Sequence, residues 1–178
     1  MDKKRYSEWL NASFGIQYIE MLLLPEVQGL GILDIELLEE LPELKIGSQL
    51  EDDLPKIARH IMLSKLWVIG TYETIRVIKK MTENKDILKK PIIETIEKAL
   101  RLFEKIRVPL AKFEKKGGKE RIYSGIADSF IDPLKGAGWN VYEHHKKELK
   151  KDTFYRNELG NVFLDLLNKI TQDIRAKP

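Results

Sequence analysis

Along most of this chain apolar residues recur at the three-and-four spacing of an α-helix, and the strongest such stretch runs from Ile57 to Met81. As a helix it carries Ile57, Ile61, Val68, Tyr72 and Ile75 on one stripe, with Leu63, Trp67, Gly70, Thr74, Val77, Ile78 and Met81 on another. It is therefore apolar on more than one side and requires neighbours all round. A first helix is predicted over about Lys4 to Leu23, closed by Pro25. The pair of glycines in Gly29-Leu30-Gly31 breaks the pattern, and a short helix follows from Asp34, its cap, to Leu41, stopped by Pro42. Leu33, Leu37, Leu38, Leu41 and Leu44 need a covering surface, since exposed they would form a sizeable apolar patch.

Glu51-Asp52-Asp53-Leu54-Pro55 places acid at the positive end of a helix and proline where a missing N–H does no harm, so the central helix starts there and extends to about Thr82. After the polar break Thr82–Asp86, Pro91 opens a fourth helix that reaches toward Lys115. Ile92, Ile96, Ala99, Phe103, Ile106, Leu110 and Phe113 form its inward stripe, and Pro109 should kink it one turn before its end. The short link predicts an antiparallel pair. Beyond Gly117-Gly118 the period changes to two: Ile122, Ser124, Ile126, Asp128 and Phe130 alternate with Tyr123, Ala127, Ser129 and Ile131. Trp139-Asn140-Val141-Tyr142 follows a turn rich in Pro133, Gly136 and Gly138, which gives a β-hairpin that must dock Trp139, Val141 or Phe130 on the helices or on a second copy. A last helix, capped by Asp152 or Thr153, carries Tyr155, Leu159, Val162, Phe163, Leu166, Leu167 and Ile170.

The expected architecture is mainly α, a helical bundle of four long helices and one short helix with a small β-hairpin between the fourth helix and the last. Residues 1–178 are expected to form a single domain, with an acidic arm at 20–54 and a hairpin insertion at 120–143. Composition agrees: 43% apolar and 33% charged residues suit a globular chain. The lack of cysteine excludes disulfides, zinc ribbons, iron–sulfur ligation and thiol nucleophiles. No run approaches the roughly 18 apolar residues a membrane span needs, and Met1-Asp2-Lys3-Lys4-Arg5-Tyr6 leads into no secretory apolar core, so a cytoplasmic location without membrane contact is expected. The net charge of +3 conceals an asymmetry. Residues 20–54 hold ten acidic groups against Lys45, whereas residues 55–151 hold 23 basic and 12 acidic ones. The acidic flap is expected to complement the basic body, and a basic surface for nucleic acid is the alternative.

Chemistry is thin. Glu73 and Arg76 lie on the central helix, and antiparallel pairing about Asp86 would set Glu73 beside Ala99, Lys65 beside Arg107 and His60 beside Lys112. Glu104 would then answer Lys65, and Glu73 would hold Arg76 or Arg101. Such pairs either fix the register of the two helices or form a polar cleft, with Glu73 as acid or base and Arg76 or Arg107 holding an anion. His60 and Arg107 across the pair are a further candidate site. In helix count the chain is similar to the HEPN ribonucleases, whose motif is an arginine, four to six intervening residues and a histidine. After Arg107 the corresponding positions are Lys112, Phe113 and Glu114, and after Arg59 they are Ser64, Lys65 and Leu66. The resemblance therefore carries no ribonuclease activity onto this chain.

Adjacent His144 and His145 point apart on a strand and precede lysines, so a solvated loop is expected there and no metal. Lys112, Lys115, Lys116, Lys119 and Arg121, joined by Lys146, Lys147, Lys150 and Lys151, would form a phosphate-binding patch if the hairpin folds back. No phosphate loop, Gly-x-Ser-x-Gly, His-Glu-x-x-His or EF-hand spacing occurs, and no cofactor is expected. The first functional expectation is a non-enzymatic helical protein that binds a protein partner and self-associates as a homodimer through the hairpin or the last helix. The alternatives are a HEPN-like nuclease or degenerate relative with a cleft between the two central helices, and an RNA- or DNA-binding module using the lysine patch.

Overall fold

A computed structural model describes residues 2–41, 50–83, 87–111, 122–145 and 148–176; for 50–52, 122–126, 143–145, 148 and 149 it describes the backbone alone. The fold is mainly α, as expected. Its helices are α1 (Lys3–Ser13), α2 (Leu24–Glu40), α3 (Leu50–Thr82), α4 (Lys90–Ala111) and α5 (Arg156–Arg175). Two 3₁₀ turns, Phe14–Tyr18 and Met21–Leu23, join α1 to α2. A three-stranded antiparallel sheet, β1 (Ile122–Asp132), β2 (Gly136–His145) and β3 (Glu148–Tyr155), lies between α4 and α5 in sequence. Among the described residues no helix is long and apolar enough to cross a membrane.

The first helix is shorter than its periodicity predicts. Asp2 caps it, accepting from the backbone of Lys4 at 2.9 Å and of Arg5 at 3.1 Å, but it stops at Ser13 because the chain there meets α5. The Gly15 N–H donates to Thr171 Oγ1 at 2.9 Å, and that hydroxyl donates to the Ala12 carbonyl at 2.6 Å. A Cβ at Gly15 would lie 2.4 Å from the same hydroxyl, so only glycine allows the approach. Conversely, the break expected at Gly29 and Gly31 does not occur: α2 starts with Pro25 in its first turn and runs through both glycines. Gly31 packs on Trp9, where a Cβ would come within 2.9 Å of the indole, and this contact offsets the weak helix propensity of glycine. The short helix expected from Asp34 is thus the second half of a longer one. It covers its own leucines: Leu37 and Leu41 are buried, Leu33 and Leu38 half-buried, while Leu44 lies outside the described residues.

Helices α3 and α4 pair antiparallel, as the short link requires. Trp9, Trp67, Phe103 and Phe163, from α1, α3, α4 and α5, meet as tilted and edge-on rings with centroids 5.8–6.5 Å apart. Leu159, Phe163, Leu166, Leu167 and Ile170 of α5 are buried in this core, whereas Val162 is 38% exposed.

The hairpin is found, with Ser129 opposite Trp139 and Asp132 opposite Gly136, whose φ of +81° is the left-handed backbone that favours glycine. Ala137, Trp139 and Val141 are buried, while Phe130 is half-buried and stacks edge-on to Tyr155. A third strand was not expected. Residues 148–155, which read as a basic lead into a helix capped by Asp152 or Thr153, pair instead with β2, Val141 facing Asp152 and Gly138 facing Tyr155. Their polarity is that of an edge strand, with Lys150 and Lys151 exposed and Asp152 bonded to Lys105 of α4. Tyr155 therefore ends β3, and the last helix begins at Arg156.

Candidate functional site

Glu73 lies on the α3 face that meets α4. Its Oε2 accepts from Arg76 Nε at 2.6 Å and its Oε1 from Arg107 Nη2 at 3.3 Å, while the Arg107 guanidinium sits 5.0 Å from the Tyr72 ring centroid. The carboxylate is 39% exposed and accepts from two cations, one on its own helix and one on α4, so it bridges α3 and α4. The register differs from expectation: Glu73 meets Arg107 rather than standing beside Ala99, and Lys79 meets Glu97 at 3.5 Å, so the pairing is centred near buried Leu88 and exposed Lys89 instead of Asp86. Lys65, expected to meet Glu104, makes no ion pair among the described residues. His60 sits more than three turns before Glu73, about 20 Å along the axis, so His60 and Arg107 do not form one site. Lys112, Lys115, Lys116, Lys119, Arg121, Lys146 and Lys147 lie outside the described residues, as do the side chains of His144 and His145. Among the described residues no group of acidic and histidine side chains could hold a metal.

A buried ionic cluster, unannounced by the sequence, joins α1, α2 and α5. Asp34 is fully buried and accepts from Arg5 Nε at 3.0 Å, from Trp9 Nε1 at 2.8 Å and from Arg156 Nη1. Arg156, also fully buried, lies over the Trp67 ring at 5.8 Å and donates to Asn157. Gly160 makes room, since a Cβ there would stand 2.6 Å from Asp34 Oδ1. Burial pulls the Arg156 guanidinium below its ordinary pKa, and the Asp34 charge opposes this.

On the neighbouring turns of α3, His60 and Ser64 are also fully buried. His60 Nδ1 stands 3.4 Å from Glu40 Oε2 without hydrogen-bond geometry, and Ser64 Oγ has no hydrogen-bond partner, so the two do not form a base–nucleophile pair. Burial lowers the His60 pKa, the contact with Glu40 partly restoring it. The two halves of the arrangement differ: Asp34 is fully bonded, whereas both ring nitrogens of His60, the hydroxyls of Ser64 and Thr71 and Nε of Arg156 are buried without a hydrogen-bond partner.

The effect of this arrangement appears on the other side of α3. His60, Ser64, Trp67, Thr71 and Ile78 mark the buried stripe, and about 180° round the helix lie Leu54, Ala58, Met62 and Leu66, one ridge at four-residue spacing. Leu54 is 50%, Met62 56% and Leu66 54% exposed. The N-terminal half of α3 is therefore inverted, with Asp53, His60 and Ser64 inside and aliphatic side chains outside. Sequence reading missed the ridge because the helix is apolar on more than one side, and periodicity alone could not say which stripe faces inward. The buried polar residues were the available signal. Neither a protein-family model, nor a curated protein, nor a solved structure matches this chain.

Proposed function

We propose that this protein works by binding another macromolecule, which docks on the ridge Leu54–Ala58–Met62–Leu66 of α3. The observation that carries the reading is the inversion of that helix. Water solvates aliphatic side chains poorly, and a contiguous apolar strip with a polar margin is the usual mark of an interaction surface. Here the margin is supplied by half-buried Lys65 and by Arg59, itself bonded to Glu40. The acid–base alternative draws little support from Glu73, which two arginines already occupy.

The chain has no cysteine, so a single introduced thiol reports from one position. A benzophenone placed at Met62→Cys should cross-link its target in extract of the source cells, and the same probe at exposed Asn161→Cys on α5 should not. Excess unlabelled wild-type protein should compete, and Leu66→Asp protein should fail to. Equal labelling from both positions, or equal competition by Leu66→Asp, refutes the reading.

A further inference from the structure

Helices α2 and α3 run antiparallel, and polar contacts close their seam at two levels. At one, the indole N–H of Trp67 donates to the Leu30 carbonyl at 2.9 Å. At the other, Arg59 bonds one carboxylate oxygen of Glu40 while the His60 ring stands 3.4 Å from the second. We infer that this second level is an acid-operated latch: protonation of His60 releases the turns of α3 before Trp67 from the end of α2, with the bond between Trp67 and Leu30 as the hinge. His60 is fully buried, and neither ring nitrogen has a hydrogen-bond partner among the described residues. The closed seam is therefore built around a neutral imidazole, and a charged one has to be solvated.

Three charged groups act on that ring. Glu40, on α2, favours the imidazolium but is already bonded to Arg59, whereas Arg156, from α5, and Arg59, on α3 itself, oppose it. Two carboxylates lie further off and are engaged elsewhere: Asp34 by Arg156, and Asp53, two turns before His60, by Lys56 at 3.2 Å. Burial and the two arginines outweigh Glu40, so the ring takes a proton more readily once the seam opens to water. The opening is local because the rest of α3 is tied by contacts in which no histidine takes part. Trp67 packs against Phe103 and Phe163, Glu73 accepts from Arg107, and Lys79 meets Glu97. With Arg107 at Glu73, Ala111 at the end of α4 stands near position 69, so among the described residues α4 does not reach the turns before Trp67.

Hydrogen exchange read by mass spectrometry at pH 7.5 and 5.5, with labelling times scaled to the intrinsic exchange rate, tests the latch. In the wild type, amides of residues 36–41 and 57–64 should open more often at pH 5.5, by up to about tenfold, because each pH unit below the ordinary histidine pKa of 6.5 adds at most about a factor of ten. Amides of residues 71–78 and 163–170 should not change. His60→Gln should abolish the difference, and replacing both other histidines, His144→Gln with His145→Gln, should leave it. Glu40→Gln separates the latch from titration of the carboxylate. It removes the group that favours the imidazolium, so the acid response should persist or grow, whereas a response carried by Glu40 would vanish. Circular dichroism establishes that each variant is folded; where His60→Gln is not, an acid response retained in both other variants leaves His60 as the titrating group. No difference between the two pH values in the wild type, an equal difference in α5, a response that survives His60→Gln, or one lost in Glu40→Gln or in the double histidine variant overturns the inference.

Discussion

Replacing Asp34 by alanine tests the buried cluster, and the structure sets both the size and the order of the effects. The Asp34 carboxylate takes donors from Arg5, Trp9 and Arg156, and it is the ionic partner of an arginine with no exposed surface. Asp34→Ala strands that guanidinium and the Trp9 N–H in the core. Removing one member of a buried pair costs about 3–5 kcal/mol. In a chain of this length that corresponds to a fall in melting temperature of roughly 6–20 °C. Arg156→Met is the informative comparison. It removes the deepest charge but leaves Asp34 bonded to Arg5, whose side chain is 16% exposed, and to Trp9. It also keeps a long apolar side chain against Trp67. Its cost should be smaller, about 1–3 kcal/mol. Urea unfolding followed by circular dichroism at neutral pH measures both, with a constant slope confirming that the same two states are compared. If Arg156→Met destabilises as much as Asp34→Ala, or if Asp34→Ala costs less than about 1 kcal/mol, the cluster does not hold α2 to α5 in the way described.

Other outcomes follow from single residues. Gly29 is exposed on α2 with nothing near its missing Cβ, so Gly29→Ala should stabilise by about 0.5–1 kcal/mol, while Gly31→Ala, driven into the Trp9 ring, should destabilise by about 1–3 kcal/mol; thermal melts of the two variants decide. Because burial depresses the His60 pKa, the unfolded chain takes up the proton first, and the stability this residue contributes is present above its ordinary pKa of 6.5 and lost as pH falls below it. Melting at pH 7.5 and 5.5 should accordingly show a larger loss in the wild type than in His60→Gln. Arg76→Ala should cost less than about 1 kcal/mol by urea unfolding, since its bond to Glu73 is more than half in water and Arg107 still holds the carboxylate.

The long periodic helices α3, α4 and α5 were legible because their apolar stripes exceed any competing pattern, and the β1–β2 pair was legible from its alternation and its glycine turn. Features that depend on a contact far away in sequence were not. Nothing local distinguishes Gly31, which rests on Trp9, from a helix-breaking glycine, or marks Ser13 as the end of α1 when the reason is Thr171. β3 reads as a solvated basic stretch because an edge strand has only one paired side and shows its lysines to water. For the α3–α4 pair, locating the link at Asp86 rather than at Leu88 displaced every cross-helix contact, so Glu73 was identified as half-enclosed while its partner Arg107 was assigned to Lys65. Arg156 offered one clue. A cation at the first residue of a helix opposes the helix dipole, and such a residue is kept there by a specific anion, in this case Asp34 on α2.

The hydroxyl of Thr171 fastens α5 to the end of α1 by two hydrogen bonds spanning 156 and 159 residues. Along a chain emerging from the ribosome, α1 is made early and waits for the helix made late. Until α5 is synthesised, Trp9 lacks the Phe163 ring it packs against, Asp34 lacks the Arg156 cation, and the carbonyl of Ala12 lacks its donor. Closure of the core is thus postponed until translation of this region is nearly done, and a ribosome stalled before Arg156 would display an open, apolar intermediate to the chaperones around it.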